Sequence, residues 1–105
     1  MEETRSENLA YLQQRHPEIY QAYQQYGKLT HEEGGPLDRK NRWLIKVAVS
    51  ATQRYELALE THLEKARAAG CSREEVEHAI LLTAPSAGFP TMMEALLVFR
   101  RIWPE

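Results

Sequence analysis

The sequence predicts an all-α fold, a compact bundle of about six helices, and three observations carry that prediction. Apolar residues recur at three- and four-residue spacing along most of the chain, which places them on one face of a helix. Residues that start and stop helices divide these runs into pieces of ordinary helical length. No strand pair joined by a hairpin turn is present.

The elements follow in order. "ETRSENLAYLQQR" carries Leu9, Tyr11 and Leu12 on a thin apolar stripe and reads as a short first helix. "HP" at 16–17 interrupts it, and Pro17 suits the first turn of a second helix, where its missing N–H costs nothing. Ile19, Tyr20, Tyr23 and Tyr26 form the stripe of that helix, Gly27 weakens its middle, and Gly34-Gly35-Pro36 is expected to end it. Asp38 can cap a third helix whose body, "RWLIKVAVSA", is apolar almost all round except at Lys46. Such a helix is central and covered on several sides. A buried strand is the rival reading because Val47 and Val49 are β-branched, but no turn signal falls at 50–53.

"ATQRYELALETHLEKARAAG", residues 51–70, reads as a fourth helix, with Tyr55, Ala58, Leu59, His62, Ala66 and Ala69 on its apolar side and Gly70 as its stop. "CSREEVEHAILLTA" opens with Ser72 and Glu75 three residues later, a capping box that satisfies two orphaned N–H groups reciprocally. "PSAGFP" is a tight connection, and "TMMEALLVFRRIW" is the last helix, with Met92, Leu96, Phe99 and Trp103 on one face and Met93 and Leu97 beside them. That is more apolar surface than a small core consumes, so part of it is expected to meet another subunit.

The chain's 105 residues suit a single domain over 1–105 with a modest core, for which association is a natural supplement. A net charge of −2 and basic runs no longer than a pair leave nucleic-acid binding without an electrostatic footprint. No stretch approaches the roughly 20 apolar residues of a membrane span. The acidic, polar start does not read as a secretory signal, and the single cysteine, Cys71, cannot form an intrachain disulfide; both lead to the expectation of a reducing, cytoplasmic setting.

Few residues can carry chemistry. His62 shares its face with Tyr55 and Ala58, and an imidazole against an apolar wall serves either as a general acid or base or as a core histidine bonded to a carbonyl or carboxylate. Lys46 either is desolvated and useful or lays its stem on apolar surface with its ammonium in water. Cys71 sits in an exposed-looking loop just before a helix start, without a second cysteine to resolve it, and reads as a bystander. The four histidines, at 16, 31, 62 and 78, lie far apart and match no metal-binding spacing, so no metal and no cofactor is predicted.

The run from residue 37 to 90 resembles the carboxymuconolactone decarboxylase family, which includes alkylhydroperoxidase D and its relatives. The matching elements are K-x-R-x-L-I-x-x-A-V-S at 40–50, H-x-x-x-A-x-x-x-G at 62–70, S-x-E-E-V at 72–76 and G-F-P at 88–90. The resemblance implies an all-α subunit assembled into trimers or hexamers, with a small pocket near the histidine and close to a subunit contact. In the peroxidase branch a C-x-x-C pair precedes that histidine, reduces peroxide and closes to a disulfide, helped by a second histidine inside the pair and a glutamate on the preceding helix. Carried onto this chain, the histidine is His62, the two cysteine positions are Tyr55 and Ala58, the inner histidine position is Leu57, and the glutamate position is Trp43. Thiol-based peroxide reduction has therefore lost its nucleophile, although family-level labels of peroxiredoxin activity attach to such sequences.

The decarboxylase branch needs no cysteine. It calls for a cationic anchor for a carboxylate and a group that moves a proton. Lys46 and Arg54 are the candidate anchors, Trp43 and Tyr55 candidate pocket walls, and His62 the candidate catalytic acid. One hypothesis is thus an enzyme acting on a small lactone or organic acid without thiol redox chemistry. The other is a non-catalytic oligomeric member with a binding or accessory role, in which Tyr55 and Ala58 fill the space of the lost pair.

Overall fold

The computed structural model describes the backbone of residues 2–105 and the side chains from Ser6 onward. It divides into two compact units, residues 1–37 and 38–105. The first is a hairpin of two packed helices, α1 (Glu2–Arg15) and α2 (Pro17–His31). His16 separates them and Pro17 occupies the first turn of α2. None of the residues of α2 is buried, and Ile19, Tyr23 and Tyr26 of its stripe stay exposed. The helix ends at His31, ahead of the glycines expected to stop it. Gly34 still has a steric role: a Cβ there would lie 2.6 Å from the Thr30 carbonyl oxygen, which the chain must pass closely as it turns away.

The second unit contains α3 (Arg39–Gln53), α4 (Glu56–Ala68), α5 (Arg73–Leu81), the one-turn α6 (Ala84–Ala87) and α7 (Phe89–Ile102). The described residues include no strand, so the all-α expectation holds and Val47 and Val49 lie in a helix. Asp38 caps α3, its carboxylate accepting from the Asn41 N–H at 2.9 Å. The capping box of α5 is complete: the Glu75 N–H donates to Ser72 Oγ at 3.0 Å and the Ser72 N–H to Glu75 Oε1 at 2.8 Å. That bond, with Lys40 beside it, holds the Glu75 carboxyl below the ordinary glutamate range. The helix start is therefore held above that range and loses this support as the carboxyl protonates in acid. "PSAGFP" is more structured than a plain connection, because α6 occupies its first half and Gly88, at φ 100°, swings the chain into α7 two residues earlier than expected.

One boundary was not anticipated. Residues 51–70 do not form one helix; α3 runs to Gln53 and α4 begins at Glu56. Between them Arg54 adopts the left-handed conformation (φ 60°, ψ 33°), and among the described residues no other non-glycine has a positive φ. The Arg54 N–H donates to the Ala51 carbonyl at 3.3 Å and the Tyr55 N–H to the Ser50 carbonyl at 3.1 Å, the two bonds of a Schellman closure. The same pair recurs after α4, where Gly70 N–H meets the Arg67 carbonyl and Cys71 N–H the Ala66 carbonyl, with Gly70 at φ 93°. Glycine adopts this conformation without penalty; arginine stores about 1–2 kcal/mol in it.

The core is built from all four longer helices of this unit. Val47, Leu63, Val76, Ile80 and Phe99 are its fully buried large side chains, contributed by α3, α4, α5 and α7. Arg73 seals the end of α7: its guanidinium lies 4.7 Å from the Phe99 ring centre and its Nε donates to the Trp103 carbonyl at 2.9 Å. Cys71 is also in this core, 4% exposed, rather than in an open loop; its thiol faces the Lys40 carbonyl and burial pushes its pKa up. No described helix is long and apolar enough to cross a membrane.

Two outcomes follow. Gly70→Ala adds a Cβ that meets no atom within 4 Å, so its cost is the backbone strain alone, about 1–2 kcal/mol in urea unfolding; an unchanged midpoint contradicts the left-handed closure. Cys71 in the native protein reacts with a disulfide reagent at pH 8 far more slowly than in the urea-unfolded chain; equal rates contradict its burial.

Candidate functional site

The Schellman closure at Arg54 turns α4 back along α3, and these two helices form the most extensive helix contact of the unit. The return brings His62 of α4 against Ser50 of α3, twelve residues earlier. Ser50 is 2% exposed, and its hydroxyl donates to the Lys46 carbonyl at 2.6 Å, the back-bond a helical serine makes to the residue four before it. His62 Nδ1 lies 2.9 Å from Ser50 Oγ and 3.2 Å from the Lys46 carbonyl oxygen. The serine proton is committed to Lys46, and a carbonyl oxygen only accepts. Both of these contacts are therefore satisfied when Nδ1 carries a hydrogen and donates. Were Nδ1 the acceptor, its lone pair would face that carbonyl. The network thus assigns the Nδ1–H tautomer to neutral His62 and puts the ring's basic lone pair on Nε2. It also rules against a Ser–His nucleophile pair, because the serine proton points away from the imidazole.

Trp43, one helical step before Lys46 and Val47, leans on this imidazole with ring centres 5.8 Å apart at 43°. An indole now covers the side of His62 that the preceding helix presents. Lys46 meets His62 through its backbone carbonyl, not through its ammonium, and is half-buried.

A small, open pocket lies beside this network, between the α3–α4 turn and α7. Ser50, Arg54, Tyr55 and Glu56 line it from the turn, and Thr91 and Glu94 face them from α7. Ala51, Leu59, Ala95 and Val98 make its apolar walls. Arg54 bridges the mouth: its Nε donates to Glu94 Oε1 at 3.0 Å and its Nη2 to Oε2 at 2.7 Å, a two-pronged ion pair with both side chains more than half exposed. Such an exposed pair contributes about 0–1 kcal/mol to stability, so it orients the guanidinium more than it holds the fold.

The five residues singled out from sequence therefore fall into two groups. Arg54 and Tyr55 line the pocket, whereas Trp43 and Lys46 attend His62; His62 itself is not in the lining and meets the pocket through Ser50. Ser50, Thr91 and Glu94 were not anticipated. A serine four residues after Lys46 was the one available signal, since a buried hydroxyl must find a partner. Among the described residues no cluster of three or more His, Cys, Asp or Glu side chains could hold a metal ion.

The tautomer is directly measurable. In ¹⁵N spectra of the neutral protein, His62 Nδ1 is expected at the protonated, pyrrole-type position and Nε2 at the bare, pyridine-type position; the reverse pattern contradicts the network.

The carboxymuconolactone decarboxylase family model matches this chain over residues 17–101. No curated protein matches it.

Proposed function

Because the chain belongs to the carboxymuconolactone decarboxylase family, we propose that it carries out acid–base chemistry of the lyase type on a small lactone or organic acid, without thiol redox. One observation carries this reading: Ser50 belongs to the pocket lining, and its hydroxyl lies 2.9 Å from His62 Nδ1. When His62 is an imidazolium, the Ser50 hydroxyl turns from the Lys46 carbonyl, releases its proton to a carbanion in the pocket and takes the Nδ1 proton in exchange. The serine is regenerated, and the imidazole, left neutral with its hydrogen on Nε2, returns to the resting Nδ1–H tautomer by proton exchange with water. Arg54 supplies the cationic anchor such a reaction needs, and the pocket's apolar walls favour the charge-dispersed intermediate over water. Tyr55 and Ala58, at the positions of the missing cysteine pair, leave electrons no sulfur route, and Cys71 is sealed in the core.

A second reading, a non-catalytic binding member, is favoured by the same geometry in one respect: His62 reaches the pocket through an intermediary. In either case we infer a homo-oligomer, a trimer or hexamer, from the exposed Phe89, Met93 and Leu97 on α7 and Ile45 and Val49 on α3.

Hydrogen–deuterium exchange at the carbon next to the carbonyl of small lactones, followed by NMR in D₂O, tests proton transfer without knowledge of the full reaction. The protein is expected to accelerate exchange and His62→Ala to reduce the rate by about 10²-fold or more. No acceleration leaves the binding reading, and an unimpaired His62→Ala removes the imidazole from the chemistry. Dithiol-dependent breakdown of an organic hydroperoxide is expected to stay at background; rapid turnover that persists in Cys71→Ser contradicts the exclusion of redox chemistry. Light scattering on a sizing column is expected to return three or six times the 12.2 kDa chain mass; a monomer overturns the assembly.

A further inference from the structure

We propose that the pocket between the α3–α4 turn and α7 accepts a small acid carrying one carboxylate and turns away dicarboxylates, with Glu94 as the residue that sets the limit. This rests on the reading of that pocket as the ligand site. The lining holds one cation, Arg54, and two carboxylates, Glu56 and Glu94, so the pocket carries a net charge of −1 from these groups. Lys46, the other cation considered as an anchor, is not part of the lining and faces His62 through its backbone.

Arg54 itself is half engaged. Glu94 occupies the edge formed by Nε and Nη2. A guanidinium has five N–H donors, and the edge formed by Nη1 and the second hydrogen of Nη2 is a second fork of the right shape for one more carboxylate. The left-handed backbone at Arg54 and the two-pronged grip from α7, forty residues away in sequence, together fix where that second fork lies. It is a single anion site. A second carboxylate would find only neutral donors. At rest the Ser50 hydroxyl donates to the Lys46 carbonyl, which leaves Tyr55 and Thr91 in a lining that also holds the carboxylates of Glu56 and Glu94. An uncompensated like charge a few ångströms away near a protein surface weakens binding by about tenfold at low salt. An ion pair that merely ties α7 to the turn predicts no such sorting of ligands by charge.

Three four-carbon probes separate charge from size: γ-butyrolactone, butyrate and succinate, neutral, singly and doubly charged. Each is titrated into the full chain at low ionic strength, with backbone amide shifts of Arg54, Tyr55 and Thr91 as the readout. Butyrate is expected to bind about tenfold more tightly than succinate. Glu94→Gln is expected to bring succinate within about twofold of butyrate, and added salt to narrow the wild-type gap in the same direction. Succinate binding as well as butyrate to the wild-type protein, or a gap untouched by Glu94→Gln, overturns the proposal while leaving the pocket as a ligand site. Failure of all three probes to shift those amides removes the pocket itself, and both readings with it.

Discussion

The chain reversal at Arg54 is the constraint on which the site depends. Two backbone hydrogen bonds close α3 there and turn α4 back beside it. That reversal is what makes residues 50 and 62 neighbours and gives the Ser50 hydroxyl a second partner. The closure uses a residue that resists the conformation it must adopt, and strained non-glycine residues concentrate where function over-determines the geometry. Here the side chain of the strained residue is also the pocket's cation, held from the opposite wall by Glu94. A glycine would close the helix with less strain and supply no guanidinium.

Much of the fold was legible because its signals are local. Asp38 and the Ser72–Glu75 pair cap their helices as their spacing implies, and Gly70 ends α4 in the left-handed conformation only glycine adopts freely. The apolar faces of α5 and α7 supply Val76, Ile80 and Phe99 to the core. The break at 54–55 was not legible, since neither arginine nor tyrosine is a turn residue and tertiary packing, not propensity, decides the conformation. The depth of Cys71 was missed for a related reason: a residue after a helix-ending glycine reads as loop, while here it turns inward to the Lys40 carbonyl.

The site was legible in part. His62 could be named from its face and from the family resemblance, and Arg54 from its charge. Their partners could not. Ser50 is an unremarkable helical residue until the turn is known, and Glu94 lies on α7, forty residues from the arginine it grips. Its charge placed Lys46 with the candidate anchors; its contact with His62 is through the backbone carbonyl, because the helix directs that oxygen toward the residue that approaches from α4. The same geometry divides one expected cluster into a histidine network beside Trp43 and a pocket that Arg54 lines, with Ser50 common to both. The chain's one thiol, Cys71, is buried in the core and is not part of the pocket lining.

The central claim is that Ser50 and His62 act as one hydrogen-bonded unit across the reversal. A double-mutant cycle with Ser50→Ala and His62→Ala, read by urea unfolding, measures it most directly. Coupling of about 0.5–3 kcal/mol is the expected result for residues in direct contact within one network. Additive losses, agreeing within about 0.3 kcal/mol, would contradict the contact and with it the route from the imidazole to the pocket.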